Sequence, residues 1–389
     1  MRYVIGFAGI AAPVLLCVLL GAAVPGCSET TGANNWAPCD YESNPASAKY
    51  DFNSVDSTVE EFLADYPAVN GVTLAIVQRS DGQVYENGYG ELDPGRISML
   101  ASTSKVLSVG IILALVDEGL LDLDRPIAEY LDWGDHHPGV TMRQMLSMMS
   151  GLPPLIPGVG RCTPTACECD PAANMRECAR TVFQNEAASI PPGTVWLYGR
   201  WQLAGAVAEI VSNKSWAQLV REKLVEPCGL PSTGYKSDTF TAYPEEFGGD
   251  PASLPETDNP GVAGGAYSNV CDYSKVLLMH LRGGLCEQVR VLSPAMVQAM
   301  QEDLVPEGVS MLTTRAGVVN YGMGWWKFEG DLEGLLIDSG AWGARAFLHP
   351  EEHWGAIFIM EADSDDGHEL LERVVPVVRA AVIEADRRL

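Results

Sequence analysis

The chain has 389 residues, of which 47% are hydrophobic, and its formal net charge at pH 7 is −26. This length is large for one compact unit but suits one domain built from two lobes. The excess of acidic residues argues against nucleic acid as a partner, because the sequence offers no basic stripe to phosphate groups. The charge instead favours a solvated acidic surface and a mild bias against anionic substrates.

Residues 1–26 predict either a signal peptide or an N-terminal anchor. Residues 4–24 are almost wholly apolar, and no charged residue lies between Arg2 and Glu29. Such a stretch is typical of a secretory signal, and it is also long enough to span a bilayer once. The Val-Pro-Gly-Cys sequence that ends at Cys27 resembles the cleavage box of a bacterial lipoprotein, in which the cysteine is lipidated. Both alternatives place the rest of the chain outside the cytoplasm, in the cell envelope or beyond it, and both make the membrane a partner of the N-terminus.

Residues 27–50 predict a flexible tether between this export segment and the folded domain. They are rich in Ser, Thr, Asn, Ala and Pro and show no apolar periodicity. Segments of this composition do not bury enough apolar surface to form a packed core. No comparable linker interrupts the chain afterwards, so we predict one domain over residues 51–389.

Eight cysteines remain when Cys17 and Cys27 are set aside, and they predict disulfide bonds. An even number of cysteines in an oxidising compartment is typical of a disulfide-stapled protein. The four between residues 162 and 178 could in principle bind zinc, but their spacing matches no common zinc module and no histidine is near. We therefore predict disulfides and no metal, with the pairing left open. The eight are Cys39, Cys162, Cys167, Cys169, Cys178, Cys228, Cys271 and Cys286.

The predicted elements, in chain order, indicate an α+β fold. Strand patterns dominate both ends of the chain and helical patterns dominate the middle, so one antiparallel sheet would be assembled from both ends. We expect N- and C-terminal helices to flank this sheet and a large, mostly helical lobe to be inserted at about residues 103–320. The predicted helices are 105–119, 141–149, 202–211, 216–224, 272–281 and 369–383; the predicted strands are 71–78, 82–89, 321–328, 334–338, 343–348 and 355–360.

His349 and His353 fit a spacing that some zinc peptidases use on a helix. Here Pro350 follows the first histidine, and patterns with a period of two lie on either side of the pair. Proline disfavours a helix at this point. The segment is therefore predicted to be a hairpin turn and not a metal site.

Ser102 and Lys105 form the only Ser-x-x-Lys pattern in the chain. Residues three apart on a helix point in the same direction, so the lysine amine can reach the serine oxygen. That arrangement places a nucleophilic hydroxyl beside a group able to take its proton. A four-residue pattern alone is weak evidence, because short patterns occur by chance.

Two segments farther along the chain could complete such a site. Tyr198 follows a Pro-Gly-Thr loop, where its phenol could act as a second proton carrier. Asp338, Ser339, Gly340 and Ala341 end a predicted strand. A glycine there lets the backbone approach a substrate, and the Ala341 amide could stabilise an oxyanion together with the amide of the nucleophile.

With these segments in this order, the chain resembles the serine β-lactamase and D,D-peptidase superfamily, and within it the class C-like branch that includes many esterases. The resemblance runs from about residue 52 to 385. It implies a β-lactamase/transpeptidase-like fold, with Ser102 as the acylated nucleophile, Lys105 as its activating partner, Tyr198 as general base, and no cofactor. The matching segments are 101–106, 117–126, 141–152, 192–194 and 264–273.

The chain departs from the family pattern in two places. Gly199 and Arg200 follow the tyrosine where the family has Ser-Asn or a similar pair, and Asp338 stands where the family has Lys or His. A cation there would hold a substrate carboxylate, whereas an aspartate would repel it.

We therefore predict an exported serine hydrolase, expected to be a monomer, that cleaves ester or amide bonds of small uncharged or amine-bearing molecules. Three alternatives stay open: a D-amino-acid peptidase, a weak β-lactamase, and a non-catalytic protein that binds cell-wall peptide on the same scaffold.

Overall fold

The computed structural model describes residues 44–134, 136–137, 139–152, 167–185, 190–199, 201–237, 249–311 and 316–387. The helices of this part of the chain are α1 Asn53–Asp65, α2 Ser104–Asp117, α3 Met142–Leu146, α4 Met175–Asn185, α5 Gln202–Ser212, α6 Trp216–Val220, α7 Glu226–Cys228, α8 Val270–Leu281, α9 Pro294–Gln301 and α10 Ser364–Arg387. The strands are β1 Gly71–Gln78, β2 Gly82–Gly90, β3 Ser98–Met99, β4 Val195–Trp196, β5 Gly234–Tyr235, β6 Ala266–Ser268, β7 Leu285–Cys286, β8 Val289–Arg290, β9 Ser310–Met311, β10 Val318–Tyr321, β11 Trp326–Phe328, β12 Leu336–Ser339, β13 Arg345–His349 and β14 Trp354–Ile359.

A seven-stranded antiparallel sheet joins the two ends of the chain. Its strand order is β10-β11-β12-β13-β14-β1-β2. The N-terminal strand β1 pairs with the C-terminal strand β14, with Thr73 opposite Ile359 and Gln78 opposite Trp354. This pairing confirms the α+β fold predicted from the sequence, in which the sheet is assembled from both ends.

Helices cover both faces of this sheet. All residues of β1 are buried, which requires apolar cover on each side. Helix α8 packs against β1 and β14, while α1 and α10 pack against each other and against β2 and β13. The stripe formed by Val55, Val59 and Phe62 in α1 is fully buried, as expected for a helix that lies on a core with a period near 3.6 residues.

Helix α2 runs through the interior of the lobe. Its residues from Ser104 to Leu115 are all buried, and its apolar residues lie on every side, which is typical of a core helix. The short 3₁₀ turn Ala101–Thr103 directly precedes it and contacts both β12 and β6. The N-terminus of α2 therefore lies where the main sheet meets the helical lobe.

Most predicted elements are present, and one prediction is wrong. Residues 321–328 do not form one strand, because a turn separates β10 from β11 and places Gly324 at a φ of +89°. The His349–His353 segment is a turn between β13 and β14, as predicted, with His353 at a φ of +64°. Helices α1, α4, α7 and α9 were not predicted.

The end of the predicted tether packs against the domain. Pro45–Lys49 is a 3₁₀ helix, and the Asn44 amide donates to the carbonyl oxygens of Asp81, at 2.7 Å, and Gln83, at 2.6 Å. Residues 1–43, which include the predicted export segment, lie outside the described residues. Among the helices that the structure describes, none is both long and apolar enough to cross a membrane.

Two disulfides confirm that cysteines staple the lobe. Cys167 is bonded to Cys178, and Cys228 is bonded to Cys286, with Cα atoms 5.5 and 5.0 Å apart. The first closes a short loop in front of α4, and the second ties α7 to β7. Cys39 and Cys162 lie outside the described residues.

Candidate active site

The turn that carries Ser102 is held in an uncommon backbone conformation. Ala101 has a φ of +47°, a region that costs a non-glycine residue about 1–3 kcal/mol and persists only where the surroundings impose it. The surroundings here are two hydrogen bonds: the Ser104 hydroxyl donates to the Ala101 carbonyl at 2.5 Å and accepts from the Ala266 amide at 2.9 Å. Ser102 is consequently presented, half-buried, at the start of α2.

Lys105 lies one turn further into α2 and is 2% exposed. Its ammonium donates to the Ala263 carbonyl at 2.8 Å, and it lies 4.7 Å from the ring centre of Tyr198 and 5.6 Å from that of Trp201. Within the described part of the chain, no carboxylate is within salt-bridge distance of it. A backbone dipole and two aromatic faces therefore solvate this buried charge.

Tyr198 joins the two residues that the sequence singled out. Its hydroxyl donates to the Ser102 Oγ at 2.6 Å. Its ring stacks on Trp326 at 6.1 Å and 14° and also covers the Lys105 ammonium. The nucleophile, the cation and the phenol predicted from sequence thus lie together, with the phenol in direct contact with the nucleophilic oxygen.

Gly340 places the end of β12 against the nucleophile turn. A Cβ atom on this residue would lie 2.3 Å from the Leu100 carbonyl oxygen, a distance that only glycine allows. Outside the helices and strands of the described residues, the amides of Ser102 and Ala341 donate no backbone hydrogen bond. Two unused amides, one on each side of this close approach, are the groups that an oxyanion hole requires.

Asp338 and Ser339 are buried, at 1% and 2% exposed. The Asp338 carboxylate accepts from the Val106 amide at 3.2 Å and from the Tyr273 hydroxyl at 3.5 Å, so it points at the first turn of α2. Burial raises the pKa of this carboxyl to about 7, although the positive charge of Lys105 opposes the shift. Within the described region the Ser339 hydroxyl is buried without a hydrogen-bond partner.

Several predicted features lie outside this geometry. Cys27 and Arg200 are outside the described residues, so the lipidation of Cys27 stays a prediction. The described residues contain no group of His, Cys, Asp or Glu side chains placed to hold a metal ion.

The sequence did not reveal the groups that hold the candidate catalytic side chains. Ala263 contributes only a backbone carbonyl, which leaves no trace in residue type. The Met148 sulfur accepts a hydrogen bond from the loop that contains Tyr198 (residues 197–199, here called the tyrosine loop). Met148 lies in a run of methionines that is typical of a buried core. Trp326, the stacking partner of Tyr198, falls in the segment misread as one continuous strand.

Comparison with known proteins identifies the family. The beta-lactamase family model matches residues 55–377. Penicillin-binding protein 4 of Amycolatopsis lactamdurans is 26% identical over 314 residues, covering 72% of this chain and 77% of that protein.

Two solved structures share the fold. The octameric penicillin-binding protein homologue from Pyrococcus abyssi superposes with a TM-score of 0.66 at 20% identity, covering 85% of this chain and 78% of that one. The hydrolase EstCE1, described as having promiscuous acyltransferase activity, gives 0.67 at 18% identity, covering 87% and 99%. The chain has the β-lactamase/transpeptidase-like fold, and it belongs to the beta-lactamase family of serine hydrolases.

Proposed function

We propose that the protein hydrolyses esters or amides through an acyl-enzyme formed on Ser102. The observation that carries this proposal is the 2.6 Å contact between the Tyr198 hydroxyl and the Ser102 Oγ, with the Lys105 ammonium over the same phenol ring. A hydroxyl becomes a useful nucleophile when a positioned base takes its proton. Here one phenol and one amine surround the nucleophile, and both are held by groups of the protein.

The reaction divides into two transfers of the same acyl group. In the first, Tyr198 reacts as the phenolate, with the Lys105 ammonium over its ring balancing the charge. The Ser102 Oγ attacks the carbonyl carbon as its proton passes to the Tyr198 oxygen. The tetrahedral oxyanion lies between the Ser102 and Ala341 amides, and the leaving alcohol or amine takes the proton as its bond to carbon breaks. In the second, water attacks the acyl-serine by the same route, which releases the acid and restores the serine hydroxyl.

The charge of Asp338 disfavours substrates that carry a carboxylate near the scissile bond. Its carboxylate is buried against α2, so it would act on a substrate through its charge and not by contact. A buried charge is weakly screened and acts over several ångströms. The site also lacks the cation that Asp338 replaces in the family pattern. Together these features favour neutral or amine-bearing esters and amides, and the acyl-transfer chemistry of EstCE1 is compatible with this preference.

A matched pair of chromogenic esters, one neutral and one with a carboxylate on the acyl group, tests the substrate class. We expect the full-length wild type to favour the neutral ester by about tenfold in kcat/KM. The preference should increase as the pH rises through about 7, because the Asp338 carboxyl then loses its proton. Asp338→Asn should lose most of that pH dependence.

Five results would count against the proposal. Equal turnover of the two esters, or a preference unchanged in Asp338→Asn, would refute the substrate assignment. Turnover of either ester that survives in Ser102→Ala would refute the acyl-enzyme. Efficient hydrolysis of a chromogenic cephalosporin by the wild type would favour the β-lactamase alternative, and absence of any Ser102-dependent turnover would favour the peptide-binding protein.

We also propose that the chain is exported and tethered to a membrane through lipidated Cys27. The two disulfides support an oxidising compartment, because such bonds persist mainly outside the cytoplasm. Expression in a bacterial host with radiolabelled palmitate should label the wild type. Cys27→Ala should not be labelled, and labelling that persists in that variant would contradict the assignment.

A further inference from the structure

Met148 contacts the tyrosine loop on both sides of Tyr198. Its carbonyl accepts from the Leu197 amide at 2.8 Å. Its sulfur accepts from the Gly199 amide at 3.3 Å and from the indole Nε1 of Trp201 at 3.2 Å. One residue therefore fixes the amides immediately before and immediately after the catalytic phenol.

The backbone of Met148 has an uncommon conformation. It lies just after α3 with a φ of +63°, a left-handed conformation that few non-glycine residues adopt. The side chain is 1% exposed. Water does not reach this side chain. If the sulfur is removed, the two N–H groups that donate to it therefore have no water molecule to donate to instead.

The sulfur contact also extends to the surroundings of Lys105. The Trp201 ring, whose Nε1 donates to Met148, lies 5.6 Å from the Lys105 ammonium. The Tyr198 ring lies 4.7 Å from the same ammonium. A thioether is a weak acceptor in general, yet this one accepts from two donors at once.

We propose that the Met148 thioether is a positioning group for the proton-transfer step, holding the Tyr198 phenol and the Trp201 ring in register with Ser102 and Lys105. This inference rests on the proposed acyl-enzyme function. In this role Met148 does not contact the substrate. Its removal should therefore slow proton transfer more than it weakens substrate binding.

Three single substitutions separate this role from packing. Met148→Leu keeps most of the apolar volume but removes the acceptor. Met148→Gln is close in length and supplies a carbonyl acceptor, at the expense of burying an amide. Met149→Leu is the matched control, because Met149 is also buried, at 2% exposed, and contacts its surroundings through its backbone amide and carbonyl.

We expect Met148→Leu to lower kcat for a neutral chromogenic ester at least ~10-fold while KM changes less than ~3-fold, since a positioned acid–base group contributes ~10²–10⁴-fold. Met149→Leu should stay within ~3-fold of wild type. Met148→Gln should be more active than Met148→Leu even if its Tm is lower, because activity follows the acceptor and stability follows the packing. The pH profile of kcat should shift in Met148→Leu and not in Met149→Leu.

A double-mutant cycle with Tyr198→Phe tests whether Met148 acts through the phenol. Once the phenol is absent, Met148→Leu should lower the residual rate by less than ~2-fold, which is the non-additivity expected of residues that act as a unit. Equal losses in Met148→Leu and Met149→Leu, or full additivity with Tyr198→Phe, would overturn the inference while leaving the acyl-enzyme intact. If ester turnover by the wild type matched that of Ser102→Ala, the proposed function itself would fail and the inference with it.

Discussion

The first turn of α2 and the end of β12 meet at the candidate site, and they differ in how closely they follow the family pattern. The α2 side retains Ser102 and Lys105 with their geometry. The β12 side retains the close backbone approach at Gly340 but carries Asp338 in place of a cation. The proposed attacking groups and the substrate-holding charge are therefore separable, because the first depend on local geometry and the second on one side chain.

The largest expected effect comes from removing the charge on the α2 side. Lys105→Met should lower kcat by ~10³-fold, because proton transfer from the serine loses its buried ammonium. Steady-state hydrolysis of a neutral ester measures this loss. Lys327→Met is the control: Lys327 also donates to a backbone carbonyl, that of Gln301 at 2.6 Å, but it lies outside the site. A loss of less than ~10-fold in Lys105→Met would show that the α2 side does not supply the attacking groups.

A smaller effect should follow from separating the two sides. Gly340→Val adds a Cβ atom only 2.3 Å from the Leu100 carbonyl oxygen. The strand must therefore move back from the turn that carries Ser102. We expect a ~10²-fold loss in kcat, in the range of one lost oxyanion donor, with a fall in unfolding free energy of at least ~1 kcal/mol. Gly110→Ala in α2 is the control, since no atom beyond its chain neighbours and the local helix backbone lies within 4 Å of the added carbon. It should be as active as wild type and up to ~1 kcal/mol more stable.

The smallest effect concerns stability alone. Because burial raises the pKa of Asp338 from 3.8 to about 7, the folded protein binds more protons than the unfolded chain between these pH values. The contribution of this residue to stability therefore falls as the pH rises from about 4 to about 7. Urea unfolding at pH 5 and pH 8 should show that Asp338→Asn gains stability relative to wild type at the higher pH. A difference that is constant with pH would mean that the carboxyl is charged at both.

Sequence reasoning reached the candidate catalytic side chains because their types and spacing are restrictive. Ser102 and Lys105 share a helical face, and Tyr198 follows a recognisable loop. The β1–β2 hairpin was predictable because two strand-like segments flank the short polar turn Ser80-Asp81-Gly82. These features are local, so a linear sequence records them.

The supporting groups could not be predicted, because they depend on contacts distant in the chain. The Ala263 carbonyl meets Lys105 across 158 positions, and any residue type would supply it. The sulfur of Met148 could not be told from a core methionine without the loop that it contacts. The direction of Asp338, toward α2 and away from solvent, required knowledge of which face of β12 packs on the helix.

The central claim, that Ser102 is the nucleophile, is tested most directly by mass spectrometry after exposure to a fluorophosphonate. Intact mass followed by peptide mapping should show one phosphonyl group per wild-type chain, located on the peptide that contains Ser102. The Ser102→Ala variant, folded to the same Tm, should carry none. A wild type that stays unmodified, or an adduct that persists in Ser102→Ala, would contradict the account.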